Sequence, residues 1–157
     1  TRLITSSASL SPALGGERGR NRLAYFGAAP YLSRTMTPAE MNIVQSLVAV
    51  AWADGRFEDS ETSVVEGLLV GFDATPEEER AIFEYARTRR TLDEIPVEEL
   101  SPADRELLLG NATLLTLVDG EQSVAEKTLL WELAERLGIA KADAARVFAE
   151  VENNRGA

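Results

Sequence analysis

Residues 53–61 read Ala53-Asp54-Gly55-Arg56-Phe57-Glu58-Asp59-Ser60-Glu61, and a related stretch follows 65 residues later as Val118-Asp119-Gly120-Glu121-Gln122-Ser123-Val124-Ala125-Glu126. In each copy an Asp-Gly turn ends an apolar run, and a Glu lies seven residues after the Asp. The same offset aligns downstream apolar residues, including the identical pairs Leu68/Leu133 and Phe83/Phe148. A repeat of this length indicates a duplicated structural unit. We therefore interpret the chain as two related halves, each with an acidic turn.

Helix start signals surround both turns. Thr37-Pro38-Ala39-Glu40 combines an N-cap hydroxyl, a proline at the first helical position and a capping-box glutamate, and similar signals begin at Thr75, Ser101 and Ser123. Apolar residues between these signals recur with the helical period, and no segment alternates as a strand does. The pattern predicts helices at about 38–53, 59–72, 76–89, 102–118, 123–137 and 141–153. The fold class is therefore all-α, a compact bundle of six to seven helices built from a duplicated three-helix unit with pseudo-twofold symmetry.

Two kinds of residue inside these helices carry further expectations. Gly67, Gly71 and Gly110 lower helix propensity by about 1 kcal/mol each, so we expect close helix crossings at these positions. Trp52 and Trp131 are expected to pack in the core.

Composition restricts the chemistry that the chain supports. The 157 residues suit one domain with a real core, and no segment reaches the roughly 18 apolar residues of a membrane-spanning helix. The chain has neither cysteine nor histidine, which excludes disulfides, thiol or histidine catalysis and the usual zinc sites. No phosphate-binding glycine loop accompanies the carboxylates. We expect a protein that is not an enzyme and whose oxygen ligands suit calcium or magnesium.

The charge is unevenly distributed. Residues 1–35 hold five arginines and one glutamate, a balance of +4, whereas residues 36–157 carry −14. We interpret 1–35 as a basic, extended arm rich in Ser, Gly and Arg, and 36–157 as the helical domain. The acidic domain is expected to repel nucleic acid.

The arm ends in an aromatic run at residues 23–32, which is either a latch on the domain or an anchor for a partner. We predict a protein partner through the arm, with peripheral membrane association as an alternative and the cytoplasm as the expected location. The candidate partner-binding residues are Arg18, Arg20, Arg22, Tyr25, Phe26 and Tyr31.

The acidic turns have two interpretations, and the residues alone leave both open. Gly55 and Gly120 suit left-handed C-caps, and Glu61 and Glu126 suit capping boxes. Aspartates at helix C-termini oppose the macrodipole, however, and converging carboxylates require a cation. An EF-hand is excluded, because glycine falls at position 2 of a loop counted from Asp54 rather than at position 6.

The duplicated Ala-Asp-Gly…Glu turn over residues 37–153 resembles the TerB-like family, and residues 117–139 are the best match. That family includes the tellurite-resistance protein TerB and the N-terminal domain of DjlA-type membrane co-chaperones. The resemblance implies a bundle of about seven helices that acts as a non-catalytic adaptor, is linked to stress at the cell envelope and binds divalent cations at its turns. The cation ligands it implies are Asp54, Glu61, Asp119 and Glu126.

The chain departs from the family pattern in two ways. The basic arm lies outside it, and Val124 stands where the first half has Asp59. The alternative function is an accessory or structural subunit of a larger, membrane-associated assembly, held through the arm.

Overall fold

Six α-helices account for most of residues 34–156, the part of the chain that the computed structural model describes. They are α1 (Pro38–Ala51), α2 (Asp59–Gly71), α3 (Pro76–Ala86), α4 (Pro102–Leu117), α5 (Val124–Arg136) and α6 (Lys141–Arg155). Short 3-10 turns follow α1 at Trp52–Asp54 and occupy the connection between halves at Leu92–Glu94 and Val97–Glu99. No strand occurs within this range, so the prediction of an all-α bundle is confirmed. The predicted arm, apart from its last two residues, lies outside the described residues.

The duplication is visible in the helix bounds. Both α2 and α5 have 13 residues, and they begin 65 residues apart, as do α3 and α6. The first helices differ, because α1 has 14 residues and continues into a 3-10 turn whereas α4 has 16 residues. Asp54 lies 17 residues after the N-cap Thr37 and Asp119 lies 18 residues after the N-cap Ser101, and the different helix ends absorb this one-residue mismatch.

Hydroxyl caps begin four of the helices as predicted. In α1, Thr37 Oγ1 accepts from the Glu40 amide at 3.2 Å, and the Glu40 carboxylate accepts from the Thr37 amide at 2.8 Å. Each such cap stabilises a helix by about 1 kcal/mol, because it satisfies amides that have no partner inside the helix. The same reciprocal pairs are Thr75 with Glu78, Ser101 with Asp104, and Ser123 with Glu126.

The core is centred on α1 and α4, the first helices of the two halves. Their contact is the most extensive between any two described helices. Val44 and Leu47 on α1, and Leu108 and Leu109 on α4, are completely buried. The second and third helices of each half pack around this central pair, and their buried faces follow the repeat. The acidic turns therefore lie where each central helix ends.

Arg105 fastens the connection between the halves to the second half. Its guanidinium donates to the carbonyls of Val97, Leu100 and Leu137 at 2.9, 3.0 and 3.1 Å. The first half has Met41 at the corresponding place in its first helix. One side chain thus holds the linker and the end of α5 together.

The expected close crossings at the glycines are absent from α2. A Cβ atom built on Gly67 or Gly71 meets no neighbouring atom within 4 Å, because both glycines face an open groove rather than a helix. A Cβ atom built on Gly110 would stand 3.8 Å from the Val147 side chain, an ordinary van der Waals distance. The prediction of close approach is therefore wrong for α2.

None of the helices between residues 34 and 156 combines the length and the hydropathy that crossing a bilayer requires.

Candidate functional site: the facing acidic turns

The first acidic turn is built from local hydrogen bonds. Gly55 adopts a left-handed conformation with φ of 92°, as predicted for a residue that reverses the chain after a helix. Asp54 Oδ1 accepts from the Arg56 amide at 2.9 Å, and Glu61 Oε2 accepts from the Glu58 amide at 2.7 Å. The turn therefore holds Asp54 and Glu61 at the two ends of the connection between α1 and α2.

The second turn has the same construction, but other residues make the supporting hydrogen bonds. Gly120 has a φ of 130°, and Glu126 Oε2 accepts from the Ser123 amide at 2.7 Å. Arg155, in the last turn of α6, donates to the Gly120 carbonyl at 2.8 Å. The capping interpretation is confirmed for Glu61 and Glu126, whose carboxylates both close the start of a helix.

The turns of the two halves lie close to each other. The Ser60 hydroxyl of the first turn lies 3.5 Å from Asp119 Oδ2 of the second turn. The charges of Asp54 and Asp119 both act on Glu61, and Asp54 and Glu126 line one groove of about 390 Å³. Each aspartate thus lies near the glutamate of the opposite half, as a pseudo-twofold arrangement predicts.

Glu61 carries the clearest electrostatic signature of this region. Burial raises its pKa from 4.5 to about 7; the hydrogen bond from the Glu58 amide opposes that rise, while the charges of Asp54, Glu58 and Asp119 add to it. A carboxyl group with this pKa is partly protonated at neutral pH. The proton offsets part of the repulsion among the neighbouring carboxylates.

The four predicted cation ligands have no counter-ion among the described residues. Asp54, Glu61, Asp119 and Glu126 form no ion pair with any residue in the 34–156 range. Arg56, the nearest cation in sequence, pairs with Glu58 at 3.5 Å instead.

These side chains do not form a ready coordination shell. Across residues 34–156, no three carboxylates are grouped closely enough to hold a metal ion as they stand. Glu61 and Glu126 each have one oxygen engaged in a helix cap, and Asp54 has one oxygen engaged by the Arg56 amide. A cation bound here would use the remaining oxygens after side-chain rotation.

The tryptophans take different places. Trp52 packs against the core and donates from Nε1 to the Ala86 carbonyl at 2.9 Å, as expected for a core residue. Trp131 is 38% exposed and lines a groove, so the expectation of core packing is wrong for it. The helical period could have indicated this, because Trp131 aligns with exposed Glu66 in the first half.

The predicted partner-binding residues lie outside the described residues, so their positions remain predictions. They are Arg18, Arg20, Arg22, Tyr25, Phe26 and Tyr31.

No protein-family model matches the chain, and comparison with curated proteins and with solved structures finds no match either. The similarity to the TerB-like family therefore rests on the turn motif and its duplication.

Proposed function

We propose that this protein is a non-catalytic helical adaptor of the TerB-like type, whose facing acidic turns take up a divalent cation, calcium or magnesium. The observation that carries the proposal is the convergence of carboxylates from both halves on Glu61, with no basic partner for Glu61 among residues 34–156. Carboxylate oxygens are the ligands that these hard cations prefer. A cation between the turns would also join the two halves of the bundle.

Protonation and cation binding are linked at such a site. Glu61 must lose its proton before it can bind a metal ion, so a cation displaces protons near neutral pH. We expect the affinity for calcium to rise as the pH increases through about 7, the pKa of Glu61. Isothermal titration in buffers of different ionisation enthalpy measures the released protons. An affinity independent of pH between 6 and 8 would remove Glu61 from the site.

The adaptor role and the link to envelope stress come from the resemblance to the TerB-like family. The composition supports a role without catalysis, because the chain lacks the histidine and cysteine on which many nucleophilic mechanisms depend.

Thermal unfolding with and without the cation tests the site. At a calcium concentration ten times Kd, ligand linkage stabilises the folded state by about 1.4 kcal/mol, or roughly 3–6 °C in Tm. Asp54→Asn combined with Asp119→Asn should remove this increase. The matched control is Glu77→Gln with Glu98→Gln, which removes the same formal charge from exposed residues away from the turns. If the aspartate double variant responds to calcium as the wild type does, the proposed ligands are wrong.

The alternative, an accessory subunit held through the arm, is favoured by the contrast between the +4 arm and the −14 remainder. A pull-down from cell extract compares the full chain with a variant in which Arg18, Arg20 and Arg22 are changed to Gln. Loss of specific partners from the variant supports this function, and equal recovery removes it.

A further inference from the structure

A groove whose lining includes none of the four predicted cation ligands runs along the outer face of α5 towards the start of α6. It has a volume of about 580 Å³ and is lined by Thr128, Trp131, Glu132, Ala134, Glu135, Ile139 and Lys141. Trp131 is 38% exposed, and its ring is perpendicular to that of Phe148, at an interplanar angle of 89° and a centroid distance of 4.9 Å. The groove therefore contains a fixed aromatic surface that is open to a ligand.

The charges in the groove are predominantly negative and have no internal partner. Neither Glu132 nor Glu135 forms an ion pair with any residue between 34 and 156. On the neighbouring helix, by contrast, Arg146 pairs with Glu106, Asp143 and Glu150 at 3.2 to 3.6 Å. Lys141 is the one cationic residue among the described residues of the lining, and its Nζ lies over the Trp131 ring, 5.9 Å from the ring centroid.

The groove continues beyond α5. Thr128 and Glu132 also line the groove of about 390 Å³ that contains Asp54 and Glu126. We call these two adjoining grooves, which share Thr128 and Glu132, the trench. Its carboxylates are Glu135, Glu132, Glu126 and Asp54, and the last two are also proposed cation ligands. The trench has room for more than one ligand side chain. Its carboxylates are distributed along its length rather than gathered at one point.

We propose that this trench binds an extended, arginine-bearing basic peptide segment of a partner protein. A guanidinium group stacks on an indole face and donates in-plane hydrogen bonds to carboxylates, which matches Trp131 beside Glu132 and Glu135. The −14 charge of residues 36–157 attracts such a segment and repels acidic ones. The apolar lining, including Ala125, Leu129 and Ile139, suits the rest of a peptide better than a slender polyamine.

Lys141 has a specific place in this proposal. Its ammonium lies over the ring that the incoming guanidinium would use, so the two cations compete for Trp131. Removing the ammonium while keeping an apolar side chain should therefore improve binding. The same change would weaken binding if the groove took an acidic or phosphorylated ligand.

The test measures fluorescence anisotropy of a labelled nine-residue peptide that alternates Arg and Ala, with full-length protein in EDTA. EDTA removes divalent cations, so no metal ion competes with the peptide for Asp54 and Glu126, and peptide binding does not require the proposed metal site to be correct. We expect Trp131→Ala, and separately Glu132→Gln with Glu135→Gln, to raise Kd about tenfold, as loss of a desolvated cation–π or charge-assisted contact does. The control Glu77→Gln with Glu98→Gln, which makes the same charge change elsewhere, should alter Kd less than twofold.

Two further measurements test whether the binding is specific for arginine. Lys141→Met should lower Kd about threefold, and replacing every arginine of the peptide with neutral citrulline should abolish binding. Circular dichroism melts confirm that each variant is folded. Equal losses in the control and groove variants would reduce the effect to general charge attraction and overturn the proposal, as would weaker binding by Lys141→Met.

A second copy of the chain is another occupant that the test must distinguish. Sedimentation velocity distinguishes it, because a dimer that Trp131→Ala dissociates would assign the groove to self-association and overturn the proposal. A wild type that stays monomeric while it binds the peptide supports the proposal.

Discussion

The two halves of the chain share buried positions but differ on the exposed faces of their second helices. Leu68 and Leu133 are buried at equivalent positions of α2 and α5, whereas exposed Gly67 and Val70 correspond to Glu132 and Glu135. The α2 face borders an apolar groove of about 450 Å³ beside α4, and the α5 face forms the acidic trench. The two halves thus keep the same kind of residue at positions that face the core, whereas their exposed positions have diverged.

The acidic turns differ in the same way. Glu61 and Glu126 both close a helix start through the amide three residues earlier. Glu61 in addition has a pKa raised to about 7 by burial and by the charges of Asp54, Glu58 and Asp119. In its N-cap, the first half uses Glu58 where the second half uses Ser123. An extra carboxylate therefore stands beside Glu61 in the first half.

The largest expected effect concerns the shared core. Leu133→Ala should cost about 3–5 kcal/mol of unfolding free energy, and Leu68→Ala about 2–3 kcal/mol, because Leu133 is 0% and Leu68 8% exposed. Urea denaturation of both variants measures the two costs. If Leu68→Ala costs more, the first half is the more tightly packed one and the comparison is reversed.

A smaller expected effect is the change in stability, as a function of pH, when a capping glutamate is replaced by glutamine. The folded-state pKa of Glu61, about 7, lies above its unfolded value near 4.5, so the folded state binds more protons between these values and stability falls as the pH rises through them. Glu61→Gln removes this loss. After allowance for the half-exposed site, the variant should be about 1–2 kcal/mol more stable than the wild type at pH 8, and the gain should vanish near pH 4.5.

Urea denaturation across this pH range gives the comparison. Glu126→Gln makes the same change at the equivalent cap and should cost about 0.3–1 kcal/mol through the lost macrodipole interaction. A Glu61→Gln variant that loses stability at pH 8 would show that the charged form of Glu61 is favoured by its surroundings.

The smallest expected effect concerns the ends of the second helices. Asp73 has a φ of 54° where the second half has Gly138 with a φ of 68°, and the following amides, Ala74 and Ile139, bond back to Leu69 and Ala134. Glycine adopts this left-handed conformation without the strain that a Cβ adds. Asp73→Gly should therefore stabilise the fold by about 0.5–1 kcal/mol, measured by thermal unfolding. The reciprocal Gly138→Asp should destabilise it. If Asp73→Gly destabilised the fold instead, Asp73 would make a contact that compensates for its backbone strain.

Most of the fold could be predicted because its signals are local. Each capping box joins residues three apart, and the apolar period identifies a buried face without knowledge of its partner. The helix ends were harder. The predicted third helix extends to residue 89 but α3 ends at Ala86, and α6 continues to Arg155 beyond the predicted 153. No glycine or proline closely follows the end of α3, whereas Gly156 directly after Arg155 is a stop signal that the prediction for α6 did not use.

The functional surfaces could be predicted only in part because they depend on packing between distant segments. The repeat indicated that the two turns face each other, but not that burial would raise the pKa of Glu61 to about 7. The openness around Gly67 and Gly71 and the exposure of Trp131 depend on which helices leave a face uncovered. A pattern within one helix does not contain that information.

Gly67 and Gly71 have a practical consequence for work on this molecule. Each lies in the interior or last turn of α2, with open space where a methyl group would stand. Alanine favours a helix interior by about 1 kcal/mol over glycine, so an alanine pair reinforces α2 without a clash. Such a reinforced parent sequence would keep the damaging core and groove variants folded, so that losses of binding can be separated from losses of structure.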